Sequence, residues 1–226
     1  MQIDAGEHWI AEIAGLHVHV DTLITMWIAM GLLIITGFLV TRKLSVVPGK
    51  VQTVAETVMG FFVGLTGNMG KDGQKHAPFL ATLFLFIATS NLMGQLPWRL
   101  WHLKTGEFAS PTNDINMTAA MAILVVIYYI GAGVAKKGPK YFLHYFHPIP
   151  VMAPLNMLED ITRPFSLALR LFGNILAGEV MVLIFVSFCA FILPLPFMLF
   201  EVFVAFVQAL VFTLLTAAYL SISLKE

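Results

Sequence analysis

The chain has 226 residues, of which 58% are hydrophobic and only 12% charged, with 13 basic and 13 acidic side chains and a mean hydropathy of +0.84. Soluble domains carry about 25% charged residues, so half that fraction places the chain in the membrane class. A net charge of zero, with no charged run longer than a pair, excludes a nucleic-acid-binding surface. The single cysteine, Cys189, sits in an apolar run and excludes an intramolecular disulfide.

Residues 1–21 form an N-terminal segment on the outer side. Asp4, Glu7, Glu12 and Asp21 precede the first apolar run, so the segment is not read as a signal peptide, which needs a basic leader. His17 and His19 are expected to be interfacial or loop histidines, because no third metal ligand lies near them. Asp21 and Arg42 bracket the first spanning helix, over 22–41, an uncharged stretch long enough to cross a bilayer. Over 51–66, Val51, Val54, Ala55, Val58, Phe61, Phe62 and Leu65 recur at helical spacing opposite Gln52, Thr53, Glu56 and Thr57. That pattern predicts an amphipathic helix lying at the membrane interface or against another protein.

His76 and Arg99 bracket a second span over 77–97, and Asp114 and Lys136 a third over 115–135. His144 and His147 follow, again without a third ligand. From Pro154 the chain is almost continuously apolar, broken by Pro194 and Pro196 in ILPLP, which predicts a hairpin turn between helices over 155–193 and 196–224. Those helices would be about 58 and 43 Å long, against a hydrocarbon core of about 30 Å, so both have to tilt strongly. The predicted architecture is an all-α membrane protein of five transmembrane helices plus one interfacial amphipathic helix. With the N-terminus outside, the inner segments hold Arg42, Lys43, Lys50, Lys71, Lys75, Lys136, Lys137, Lys140 and Lys225, and the outer segments only Arg99 and Lys104. The asymmetry puts the C-terminus in the cytoplasm.

Three charges lie inside the last apolar pair: Arg170, Glu179 and Glu201. Each costs about 2.5–3.5 kcal/mol at a helix centre, so a functional role is expected; the alternative is a buried ion pair between the arms. Glu179 is nine residues beyond Arg170, on the opposite face and about 13 Å further along, so the two cannot meet on one straight helix. Asn174 shares the Arg170 face. On the second arm Glu201 and Gln208 share a face about 10 Å apart. An antiparallel turn therefore predicts two levels: Glu179 with Glu201 toward the outside, and Arg170, Asn174 and Gln208 at depth. A carboxyl at the water edge can hold or release a proton, whereas a guanidinium stays charged and would block uncontrolled proton flow.

The string RPFSLALRLFGNILAGE (163–179) resembles the core motif of the ATP synthase subunit a family, and QALVFTLLTAAYLS (208–221) is similar to its last helix. SPTNDINMT (110–118) and PLNMLED (154–160) look like matching family segments. The resemblance implies the stator subunit of an F-type F0 sector, not catalytic alone, with two aqueous half-channels that pass protons to and from a rotating c-subunit ring. It implies Arg170 as barrier and attractor of the ring carboxylate, Asn174 and Gln208 as polar neighbours, and Glu179 and Glu201 as outer half-channel lining. It further implies peripheral-stalk b subunits and the rest of the F1F0 complex as partners, in a bacterial plasma membrane, with an organelle (thylakoid) membrane as the alternative. Asn113 and Asp114 either line the outer entrance or cap the third span. Tyr219 stands at the inner exit or anchors the interface. Glu159 and Asp160 attract cations, cap a helix or pair with Arg163. No cofactor, metal or phosphate-cradling glycine loop is expected. The competing class is a secondary ion transporter with a midplane charged site, which predicts internal repeats; none is present in the sequence.

Overall fold

A computed structural model describes residues 10–13, 16–42, 44–67, 69, 73–94, 110–138, 141, 153–188 and 194–224. Lys43, Lys71, Arg99, Lys104, Lys140, His144, His147, Cys189 and Lys225, with the last residues (189–193) of the helix expected over 155–193, lie outside the described residues. The chain opens with a short antiparallel hairpin, β1 (Ile10–Ile13) and β2 (Leu16–His19), in register Ile10 to His19. Then come α1 (Val20–Thr41), α2 (Lys50–Gly67), a 3-10 turn Gly73–His76 running into α3 (Ala77–Gly94), a second 3-10 turn Pro111–Asn113, α4 (Ile115–Lys137), α5 (Ala153–Phe188) and α6 (Pro194–Leu224). Five helical segments are long and apolar enough to cross a membrane, and the fold is an all-α membrane protein with the small hairpin in front of it.

Local chemistry explains the helix limits. The Asp114 side chain caps α4, accepting from the Asn116 backbone N–H at 2.8 Å. At the far end Lys136 and Lys137 lie in the last turn, where the helix dipole favours cations, and Gly138 takes φ 64°, a left-handed conformation that costs glycine nothing. In α1 the hydroxyls of Thr25, Thr36 and Thr41 donate to carbonyls one turn back, so their polar groups are satisfied inside an apolar environment. Its outer surface, Trp27, Ile34, Phe38 and Leu39, is exposed as a lipid-facing surface should be. Pro194 starts α6 instead of preceding it, as the ILPLP reading had it. Proline is tolerated in a first turn because the missing N–H has no intrahelical partner there. Pro164 sits within α5, where it leaves the Asp160 carbonyl without its usual backbone donor.

The core forms where α3 packs on α6 and α4 on α5. Leu80, Phe84 and Ile87 of α3 meet Ala209, Phe212 and Leu220 of α6 in one buried cluster with Leu167 and Leu171 of α5. The α2 helix enters that cluster through Phe62, with Val58, Val63 and Leu65 packed beside it, whereas Val51 and Val54 at its other end stay exposed. The α5 and α6 helices run antiparallel, since Asn174 meets Gln208, Gly178 meets Glu201 and Phe185 stacks on Phe197 at 4.0 Å.

Two clasps tie α4 to its neighbours at opposite ends. His19 Nδ1 lies 2.7 Å from Asp114 Oδ2 at one end. At the other, Lys136 Nζ donates to the Leu224 carbonyl at 2.8 Å and Ser223 Oγ to the Tyr129 carbonyl at 2.7 Å. Gly133 lets α6 come this close, because a Cβ there would meet Ser223 Oγ and the Tyr141 ring. Gly133→Val is therefore expected to destabilise the chain by about 1–3 kcal/mol. A thermal unfolding midpoint of the solubilised complex equal to that of the parent would contradict this.

Candidate functional site

On α5 the exposed residues recur every three or four positions, through Leu169, Arg170, Gly173, Asn174, Ala177 and Met181. The opposite side, Leu167, Leu171 and Ile175, is buried against the bundle. Arg170 thus stands on an open face, well inside the apolar span Leu158–Ser187. Lipid on that face would meet a bare guanidinium, at about 2.5–3.5 kcal/mol, so water or another protein has to cover it. Arg170 makes no ion pair with Glu179 or Glu201 among the described residues, which removes the internal ion pair as its explanation. Arg163, two turns earlier, is the contrasting case: it pairs with Glu159 at 2.6 Å and Asp160 at 3.1 Å.

One turn from Arg170, Asn174 Nδ2 donates to Gln208 Oε1 at 2.8 Å, joining α5 to α6. Gln208 is 4% exposed, and its Nε2 has no hydrogen-bond partner among the described residues. This is the amide level. About 6 Å further along α5 comes the carboxylate level. Glu201 is 7% exposed and its carboxyl lies against Gly178, where a Cβ would collide with it. Glu179, the next residue, takes a 2.6 Å bond from Asn113 Nδ2 on the turn before α4. Three elements of the chain therefore meet around two glutamates.

Asn113 and Asp114 have separate roles in this geometry. Asn113 reaches the carboxylate level; Asp114 caps α4 through Oδ1 and binds His19 through Oδ2. The His19 contact was not anticipated, and a histidine 95 residues from its partner leaves no local signal. At the other end of the bundle, Arg163 lies over the Tyr219 ring, 5.1 Å from its centroid, and the Tyr129 hydroxyl is 3.5 Å from Asp160. Glu159, Asp160 and Tyr219 are thereby gathered around one arginine. Sequence reasoning also missed a buried polar set at the carboxylate end, Asn91, Ser110 and Thr112, which links α3 to α6 and to the Asn113 turn. The described residues hold no group of three histidine, cysteine or acidic side chains that could bind a metal ion.

Five segments long and apolar enough to cross a membrane, with two carboxylates and two amides between the helices and one guanidinium on an open face, define an integral, multi-pass membrane protein of the kind that moves ions. The sequence model of the ATP synthase A chain family matches residues 23–221, and the chain belongs to that family. It is accordingly a membrane subunit of the F0 sector, assembled within the F1F0 ATP synthase and serving proton translocation, and it is not catalytic alone. In that setting Gly178→Ala, which pushes the Glu201 carboxyl from its place, is expected to slow ATP-driven proton pumping roughly tenfold. Pumping at the parental rate in an assembled complex would show that the Glu201 position is unimportant.

Proposed function

We propose that this chain is the stator that passes protons to and from a rotating c-subunit ring through two aqueous half-channels separated by Arg170. The observation that carries the reading is the open α5 face with a fixed cation at mid-membrane. A ring bearing one carboxylate per subunit would cover that face, and Arg170 would attract each ionised carboxylate as it arrives. Asn174 and Gln208 offer amides beside it, of which the Gln208 Nε2 donor is unused within the described chain. Glu201, Glu179 and Asn113 line the outer half-channel in this reading. Glu159, Asp160 and Tyr219 lie along the inner one, with Arg163 holding the two acids. Protonation neutralises a ring carboxylate so that it can leave Arg170 for lipid, and each proton crossing releases about 2.3 kcal/mol per 100 mV.

Arg42, Lys50, Lys75, Lys136 and Lys137 gather at the end of the bundle away from Glu201. That end faces the cytoplasm of a bacterial plasma membrane in this reading. The exposed end of α2, with Val51 and Val54, is left for lipid or the peripheral-stalk b subunits.

Cysteine cross-linking tests the central point. With Cys189→Ser as background, Ala177→Cys on the open stripe is expected to cross-link to a c subunit carrying a cysteine near its carboxylate. Leu167→Cys, on the buried side, is not. Equal cross-linking from both positions, or none from Ala177→Cys in an assembled complex, would overturn the docking face.

A further inference from the structure

Asn91, in the last turn of α3, is fully buried, and both ends of its amide are engaged. Its Nδ2 donates to the Ala205 carbonyl of α6 at 3.1 Å, and its Oδ1 accepts from Thr112 Oγ1 at 2.8 Å. Ala205 lies one turn beyond Glu201, and Thr112 immediately precedes Asn113, the residue that binds Glu179. A single planar group thus touches the α6 segment that carries one glutamate and the turn that holds the other.

The surroundings make that link stiff. Thr112 and Ser110 are buried; Ser110 Oγ is 2.7 Å from Thr112 Oγ1 and donates to the Ser90 carbonyl at 2.9 Å. Gly94 leaves no room for a side chain against Ser110 Cβ. The turn is therefore fastened to α3 at several points, and Asn91 is the point that also reaches α6. The amide supplies a donor and an acceptor fixed in one plane, and it needs no change of protonation to do so. Interhelical hydrogen bonds in membranes add little stability on average, so the main effect of this one is on geometry.

We infer that Asn91 is a positioning residue for proton transfer: by fixing the Glu201 stretch of α6 relative to the Asn113 turn, it sets the gap between Glu201 and Glu179. The inference rests on the reading of these glutamates as the outer half-channel. Proton transfer depends steeply on such a gap, a misplacement of about 1 Å costing as much as a hundredfold.

The test uses the whole ATP synthase in vesicles, with passive proton flux through F0 driven by an imposed potential and the pH varied on each side separately. Asn91→Ala and Thr112→Val are expected to lower flux roughly tenfold and to shift its dependence on outer pH, leaving its dependence on inner pH unmoved. Thr112→Ser, which keeps the hydroxyl, is expected to conduct like the parent. The titratable groups at this end among the described residues are Glu179, Glu201, Asp114, Asp21 and His19, with Glu12 and His17 in the hairpin before α1. None is altered by these substitutions, so a one-sided shift reports their arrangement. Parental flux and outer-pH dependence in an assembled Asn91→Ala complex, or an equal disturbance on both sides, would overturn the inference. If Asn91→Ala does not assemble, Thr112→Val decides by the same criteria, since valine preserves its shape. Glu179→Gln, run in parallel, separates the two levels of argument. Should it leave outer-pH dependence unmoved, the half-channel reading falls and this inference with it. Should it shift that dependence while Asn91→Ala and Thr112→Val do not, only the role of Asn91 falls.

Discussion

Arg170→Ala is expected to abolish ATP-driven proton pumping in vesicles carrying the assembled complex, and to raise their passive proton leak. Arg170 is a permanent cation on the open α5 face, with no ion pair to the chain's own glutamates among the described residues. Truncating one partner of a desolvated, hydrogen-bonded charge pair costs about 2–5 kcal/mol, which corresponds to roughly a thirty- to several-thousand-fold change in affinity for an arriving carboxylate. Without that attraction, ring carboxylates would pass without releasing their protons in order. With the barrier gone, water at the two levels would join, hence the leak. Arg170→Lys keeps the charge but loses the planar fork and its delocalisation, and is expected to restore the barrier to leak better than the pumping. The decisive measurement is pumping and leak in the same vesicles. Near-normal pumping by Arg170→Ala would make the arginine a structural residue and sink the mechanism while leaving the family assignment intact.

The double variant Glu179→Gln with Glu201→Gln is expected to have the opposite signature: pumping and passive flux both fall, and no leak appears. Glutamine keeps the shape and the hydrogen bonding of the carboxylate level but cannot carry a proton. A positioned acid–base side chain typically contributes 10²–10⁴-fold, so a loss of roughly a hundredfold or more is expected. Because Glu201 lies against Gly178, next to Glu179, the two substitutions should not add as independent sites do. Each single variant is expected to lose nearly as much flux as the double variant does. A double variant that conducts like the parent would remove both residues from the proton path.

Much of this arrangement can be read from residue spacing. Uncharged stretches between charges mark α1, α3 and α4, since a span excludes charge for its full length. The nine-residue step from Arg170 to Glu179 and the seven-residue step from Glu201 to Gln208 turn directly into faces of a helix, and the Asn174–Gln208 bond follows once the arms are antiparallel. The Arg163 pairs with Glu159 and Asp160 are equally local, at i,i+4 and i,i+3.

What spacing leaves unread is of two kinds. Asn91 bonds across 114 residues to Ala205 and 21 to Thr112, and His19 across 95 to Asp114. Asn91 and Thr112 look like isolated polar breaks in apolar or turn-rich stretches until the helices are packed. Prolines are the other kind. The ILPLP reading puts Pro194 in the turn, yet it starts α6, while Pro164 falls inside the helix expected over 155–193 and stays inside α5 without ending it. The cost of a missing N–H depends on whether that N–H had an intrahelical partner and on the packing around it, and neither is visible one residue at a time.

The open face of α5 also bears on how the subunit is made. During insertion the rest of the chain can shield Glu201 and Gln208, both buried by its own helices, but nothing in the described chain shields Arg170. A newly inserted copy without its neighbour would carry a guanidinium into lipid. Such an orphan would be a short-lived species: a ready target for membrane proteases, or for chaperones that recognise polar groups exposed in the bilayer. If a ring covers that face, as proposed, biogenesis would favour an order in which the ring is already present when α5 enters the membrane. On that reading the same cation that serves a finished complex would act, earlier in the life of the protein, as a mark of incomplete assembly.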